Sequence, residues 1–199
     1  MLRQLLPYAE GGQVIGLFGG SFDPPHEGHV HVTREALKRF GLDRVWWLVS
    51  PGNPLKAHGP QPLEARMAAS RALLSDPRVA VSDIERHIGT AYTAQTLVAL
   101  QSARPDLKFV WLMGADNLAQ FHRWQDWTEI MEHVPIGVIA RPGARISARF
   151  SKAARVYAGA RIPARDSRKL GHANAPAWCF VNVPMSRSSS TALRAAGKW

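Results

Sequence analysis

Cysteine is nearly absent, with Cys179 alone in 199 residues. A lone thiol can form neither an intramolecular disulfide nor a thiolate cluster for structural zinc, which points to a reducing, cytosolic setting. Long apolar runs are also missing. No stretch approaches the roughly 18 consecutive apolar residues of a membrane helix. The opening MLRQLLPYAEGGQ lacks the apolar core and small-residue cleavage site of an export signal. Neither export nor membrane spanning is expected. Acidic residues are scarce: 15 against 25 Lys and Arg, a net charge of +10. The surplus is uneven, because Arg141 to Lys169 carries nine Lys and Arg and a single acid, Asp166. Such a balance suits an anionic partner, but the sign of a field does not say whether that anion is nucleic acid, a lipid headgroup or a phosphorylated substrate. A basic nucleic-acid-binding protein is one reading, although no recognised binding module accompanies the charge.

What is present is an alternation of apolar runs and helical patterns. QVIGLFG reads as a strand, Gly28 to Phe40 as a helix and RVWWLVS as a strand, together the length of a βαβ unit. A helix over Leu63 to Leu74, a strand over Val79 to Ser82 and a helix over Thr93 to Ser102 follow. Strands KFVWLMG, VPIGVIA and AWCFVNVP and a short terminal helix, SSSTALRAA, complete the pattern. Strands this continuously apolar are covered on both faces. The expected fold is therefore α/β, a Rossmann-like doubly wound, mainly parallel open sheet with helices on both sides. The length suits one domain, 1–199, with residues 1–12 as an N-terminal extension and 188–196 as a C-terminal phosphate-binding helix. Pro51 to Pro62 and Arg161 to Pro176 read as loops. The first follows the second strand, on the carboxyl edge where such sheets bind ligands.

The densest signal is GLFGGSFDPPHEGHVHV, Gly16 to Val32. A strand ending in Gly19-Gly20 turns sharply and lets a ligand reach peptide N–H groups without meeting a Cβ atom. The helix beginning near Gly28 points its unpaired N–H groups and positive dipole end into the same space, so phosphate is the natural ligand. His26 and His29, one turn apart, can donate hydrogen bonds to charge building on a polyphosphate and need not act as bases. Other readings fit less well. Zinc on His26, His29 and His31 lacks the i, i+4 pair and any further ligand cluster. A dinucleotide fingerprint needs G-x-G-x-x-G, which is not present. A plain helix with exposed histidines explains neither the glycines nor the Asp23-Pro24-Pro25 turn.

GGSFDPPHEGH resembles the H-x-G-H region of the nucleotidyltransferase superfamily, and in its longer form the bacterial nicotinate-nucleotide adenylyltransferases. The resemblance implies that ATP lies against Gly19, Gly20, Ser21, Phe22 and Gly28, with His26 and His29 catalytic and Asp23 on the mononucleotide side. HIGT, His87 to Thr90, is superficially alike but follows no strong strand, so His87 is read as an ordinary polar residue.

Further blocks extend the resemblance from Val14 to Arg194. MGADNLAQFHRW matches G-x-D followed by F-x-x-W, which implies Gly114 and Asp116 at ATP, the carboxylate accepting from ribose hydroxyls, and Trp124 stacked on the pyridine ring. Core packing would also account for Trp124, as it would for Trp111, Trp127 and Trp178. AYTAQTL is similar to the segment whose backbone recognises the nicotinate carboxylate, implying Thr93, although an N-cap role alone would explain that threonine. NPLK implies Lys56 on phosphate, where a solvated loop lysine is the plain alternative. Arg141-Pro142-Gly143 matches another block. SSSTALR resembles I-S-S-T-x-I-R, implying Ser189, Ser190 and Thr191 at a helix start on phosphate and Arg194 as a catalytic fork on the β- or γ-phosphate. Ser188 stands where that pattern has an apolar isoleucine.

The implied reaction joins ATP and nicotinate mononucleotide into nicotinate adenine dinucleotide and pyrophosphate. Mg²⁺ is the implied cofactor, carried with ATP, and no protein-held metal is expected. The partners are the two nucleotides, with neither nucleic acid nor membrane required. Nicotinamide mononucleotide or phosphopantetheine is the rival acceptor.

Overall fold

A computed structural model of the chain describes residues 2–52, 59–140, 145–183 and 193–194. Its centre is a seven-stranded, wholly parallel sheet. After a short helix α1 (Leu2–Leu5), the chain alternates β1 (Val14–Gly20), α2 (Glu27–Arg39), β2 (Arg44–Val49), α3 (Leu63–Leu73) and β3 (Val79–Ser82). Helices α4 (Ile84–Ile88) and α5 (Thr93–Ala103) lead into β4 (Lys108–Gly114), and α6 (Ala115–Gln120) and α7 (Trp127–His133) lead into β5 (Ile136–Ala140). Then come α8 (Arg145–Arg149), α9 (Lys152–Val156), β6 (Arg161–Ile162) and β7 (Trp178–Asn182).

The strand order is β3-β2-β1-β4-β5-β7-β6. β1 pairs with β2 on one side and β4 on the other, so the direction of winding reverses between β1 and β4. The crevice beyond the carboxyl ends of those two strands is where a fold of this kind seats ligands. Two of the segments rich in matched residues leave that edge, Gly19 to His29 and Gly114 to Trp124.

Alternation along the strands divides the core. Ile15, Leu17, Trp46, Leu48, Phe109 and Trp111 face one side, where α5, α6 and α7 cover them. Val14, Phe18, Val45, Trp47, Val110 and Leu112 face the other, under α2 and α3. Burial on both faces explains why these strands read as continuous apolar runs. Among the described residues no helix is long and apolar enough to cross a membrane.

The strands at Val79–Ser82 and Lys108–Gly114 match the sequence reading residue for residue. The expected loop from Arg161 to Pro176 does not. It contains the two-residue strand β6, paired to β7, and a 3-10 helix from Ala164 to His172. Two residues are too few to show a period, and Leu170 is the buried residue that pins the 3-10 turns to the core. Helices α4, α7, α8 and α9, of five to seven residues, were equally too short to announce themselves.

Candidate active site

His26 sits just before α2 with an extended backbone, and it caps the helix. Its ring Nδ1 accepts from the Gly28 amide at 3.0 Å, while His29 Nδ1 accepts from the His26 amide at 3.1 Å. This is a reciprocal capping box built from two histidines. The rings lie 3.9 Å apart. Because Nδ1 is the acceptor in both, the neutral imidazoles carry their proton on Nε2. The cap thus selects a donor tautomer for each ring.

The cap also revises one expectation. The Gly28 N–H belongs to His26 Nδ1, and the His29 N–H reaches the His26 carbonyl at 2.8 Å. These amides are spent inside the helix start, so the imidazoles are the better candidates for reaching a phosphate.

Beneath the pair lies an aromatic floor. Phe22, 2% exposed, stacks on Trp47 with ring centres 4.6 Å apart and an angle of 11°. Its φ of 46° is left-handed, a conformation that a bulky side chain tolerates only where its surroundings impose it. His29 lies over this floor, 4.9 Å from Phe22 and 5.9 Å from Trp47. Trp47 Nε1 donates to Thr33 Oγ1 at 2.7 Å, and that hydroxyl donates to the His29 carbonyl at 2.9 Å. β2 is thereby tied to α2 under the histidines. With its ring buried, Phe22 can offer a ligand only its backbone.

Gly19 is explained by packing: a Cβ there would come within 2.5 Å of the Trp111 ring. Gly114 is explained by Asp116, whose carboxylate folds back over it into the space a Cβ would fill. That contact accounts for the G-x-D spacing and places the exposed Asp116 carboxylate beside the carboxyl end of β4. Trp124 is half-buried, edge-on to Phe121 at 5.2 Å and to Trp111 at 6.3 Å.

Thr93 is the first residue of α5, and the cap position belongs to Tyr92, so the expected N-cap role is corrected. The local turn is made by Thr90, whose hydroxyl accepts from the Tyr92 amide at 3.0 Å and donates to Gln95 Oε1 at 2.5 Å. Thr93 and Trp124 stand on the opposite face of the sheet from the histidines, so both sets can reach one ligand only across the carboxyl edge.

Arg194 arrives from the far end of the chain. Its Nη1 donates to the Asp23 carbonyl and lies 3.6 Å from the Asp23 carboxylate. Arg194 therefore meets the segment that follows β1, since Asp23 is only three residues before His26. Leu193 and Arg194 have helical backbone. Lys56, Arg141, Pro142, Gly143, Ser188, Ser189, Ser190 and Thr191 lie outside the described residues. His87 is partly exposed, 3.6 Å from the Asp83 carboxylate, as an ordinary polar residue would be. Among the described residues no three His, Cys, Asp or Glu side chains gather to hold a metal.

A buried carboxyl supports the start of α5. Glu85 is 5% exposed and accepts from Thr96 Oγ1 at 3.3 Å. Burial raises its pKa to about 7 from 4.5, opposed by the Thr96 hydrogen bond. The folded chain holds a proton that the unfolded chain releases near 4.5. The resulting stability is present below that value, declines as pH rises and is lost above about 7. Glu85→Gln should flatten this slope and be more stable than the parent at pH 8 by ~2–3 kcal/mol, read from urea midpoints at pH 5 and 8. Equal slopes for the two proteins would contradict it.

A family model described as "Cytidylyltransferase-like" matches residues 17–196. The chain belongs to that family. A Ruegeria pomeroyi relative, "Probable nicotinate-nucleotide adenylyltransferase", is 69% identical over 198 residues, covering 100% of this chain and 93% of its own. Relatives of the same description from Roseobacter denitrificans (63% identical, 100% of both chains) and Methylorubrum extorquens (54%, 90% of this chain and 98% of its own) agree. The chain is accordingly a member of the nicotinate-nucleotide adenylyltransferases, the group its Gly19 to His29 segment resembles. The fold is shared with a Plasmodium falciparum nicotinic acid mononucleotide adenylyltransferase complexed with NaAD, at TM-score 0.69 and 17% identity, covering 91% of this chain and 82% of that one. The same enzyme complexed with APC gives 0.67 at 16%, with 92% and 83% covered.

One feature had no counterpart in the sequence reading. Arg66 of α3 is 1% exposed and bonded to the loops that leave β1 and β2. Its only signal was position: it shares the core-facing side of α3 with Met67 and Ser70, where an arginine is out of place.

Proposed function

We propose that the chain transfers the adenylyl group of ATP to nicotinate mononucleotide, releasing pyrophosphate. The observation that supports this reading is the contact of Arg194 with Asp23, three residues before His26 in the chain. The attacking phosphate oxygen is already ionised near neutral pH, so no side chain has to take a proton. That oxygen bonds to the α-phosphorus of ATP, and the bond to the bridging oxygen breaks, with its electron pair leaving on pyrophosphate. The Nε2–H groups of His26 and His29 donate to triphosphate oxygens as charge accumulates there. Arg194 holds the leaving half. Asp116 accepts from ribose hydroxyls, and Trp124, with Thr93 and the backbone around it, receives the pyridine nucleotide. Gly19, Gly20 and Ser21 pass closest to ATP, with Lys56 and the Ser189-Ser190-Thr191 turn adding phosphate contacts.

Mg²⁺ enters as part of the nucleotide substrate. Asp23 already faces Arg194 and Gln61, so the residues here suit a cation carried on phosphate oxygens rather than a protein cage. A cytosolic setting, where ATP is supplied and Cys179 stays reduced, belongs to the same reading.

The test is pyrophosphate release from ATP with nicotinate mononucleotide, run beside nicotinamide mononucleotide and phosphopantetheine, with Mg²⁺ and with chelator. Release that needs both Mg²⁺ and the nicotinate form is the expected result. Faster release with either rival acceptor, or none with any, overturns the assignment.

A further inference from the structure

Arg66 is a buried cation whose four hydrogen bonds among the described residues all end on main-chain carbonyls. Nε donates to Gln61 at 2.7 Å, Nη1 to Ser21 at 2.6 Å and Ser50 at 2.8 Å, and Nη2 to Pro51 at 3.3 Å. These carbonyls come from three separate segments on the carboxyl edge: the turn after β1, the end of β2 and the approach to α3. Burial lowers the guanidinium's pKa from its ordinary value, but an arginine remains charged there. A second link runs on from one of those segments. The Gln61 amide donates to Asp23 Oδ1 at 3.4 Å, and Asp23 Oδ2 lies 3.6 Å from Arg194 Nη1.

We propose that Arg66 is a positioning residue for nucleotide transfer: by clamping the loops after β1 and β2 to the approach of α3, it sets Asp23 and, through it, the Arg194 guanidinium. Stability alone is a poor reason to bury this charge. A methionine or leucine on the same face of α3 would avoid the desolvation and fill similar space. What an apolar residue cannot do is hold four carbonyls from three segments at once, the task a guanidinium fork suits. Nor can lysine, whose single nitrogen reaches fewer of them.

The inference rests on Arg194 gripping ATP, and a double-mutant cycle separates the two ideas. KM for ATP would be measured in the parent, Arg66→Lys, Arg194→Ala and the double variant, because KM does not depend on how much of the enzyme is folded. Arg66→Lys should raise KM for ATP about tenfold in the parent but less than about twofold in the Arg194→Ala background, since a residue acting through Arg194 has nothing left to move. An unchanged KM in Arg66→Lys, or equal increases in both backgrounds, overturns the positioning role alone. An unchanged KM in Arg194→Ala overturns the grip and the inference together. If Arg66→Lys does not accumulate as folded protein, Gln61→Pro removes the amide that reaches Asp23, together with the glutamine side chain. It takes the same place in the cycle, with the same outcomes.

Discussion

Replacing His29 by alanine should lower kcat by about 10²- to 10³-fold while changing KM for ATP by less than about threefold. A donor that acts as charge develops on the leaving oxygens contributes more to the transition state than to bound ATP, and losing one such donor typically costs ~3–4 kcal/mol. The capping box complicates the alanine result, because His29 Nδ1 also satisfies the His26 amide. Glutamate separates the roles. At this third helical position a glutamate accepts from the capping residue's amide as readily as imidazole does, and suits the positive end of α2. His29→Glu should therefore keep more of the parent's urea midpoint than His29→Ala, yet turn over more slowly still, because it sets a negative charge against the triphosphate. Steady-state rates and urea titrations of the two variants check this. If activity follows stability across them, the catalytic reading of His29 fails.

Arg194→Ala should raise KM for ATP by at least about tenfold and lower kcat/KM for ATP by about 10²-fold, a loss of ~3 kcal/mol in transition-state binding. The guanidinium's planar donors match phosphate oxygens in pairs, and its contact with the Asp23 carbonyl sets its orientation before nucleotide arrives. Lysine keeps the charge but loses the fork, so Arg194→Lys should recover no more than about a tenth of the lost efficiency. Full recovery by lysine would mean that charge alone is needed there, and near-parent kinetics in the alanine variant would remove Arg194 from the site.

The sheet was legible because its strands are buried on both faces and therefore read as unbroken apolar runs, as in Lys108 to Gly114. The convergence of the chain's two ends could be anticipated, since both matched segments carry phosphate-binding chemistry and a doubly wound sheet has a single reversal point. The rest depends on contacts between residues far apart in sequence. Nothing local to His26 says that its ring will cap its own helix, because histidine is not a common cap residue. Nothing local to Gly19 points to the Trp111 ring that excludes a side chain there. Beyond its place on the core-facing side of α3, nothing in the sequence marks Arg66, because its partners are carbonyl oxygens, which every residue possesses and no pattern of side chains marks. Arg161 to His172 failed differently: its order comes from pairing with β7 and from Leu170 entering the core, neither of which has a period to detect.

That anonymity of the Arg66 acceptors has an evolutionary corollary. A clamp closed on peptide oxygens makes no demand on which side chains sit at Ser50, Pro51 or Gln61, so related chains can exchange those residues while the grip persists. Position 66 enjoys no such latitude. Drift in this part of the molecule should leave one unvarying arginine surrounded by neighbours that change.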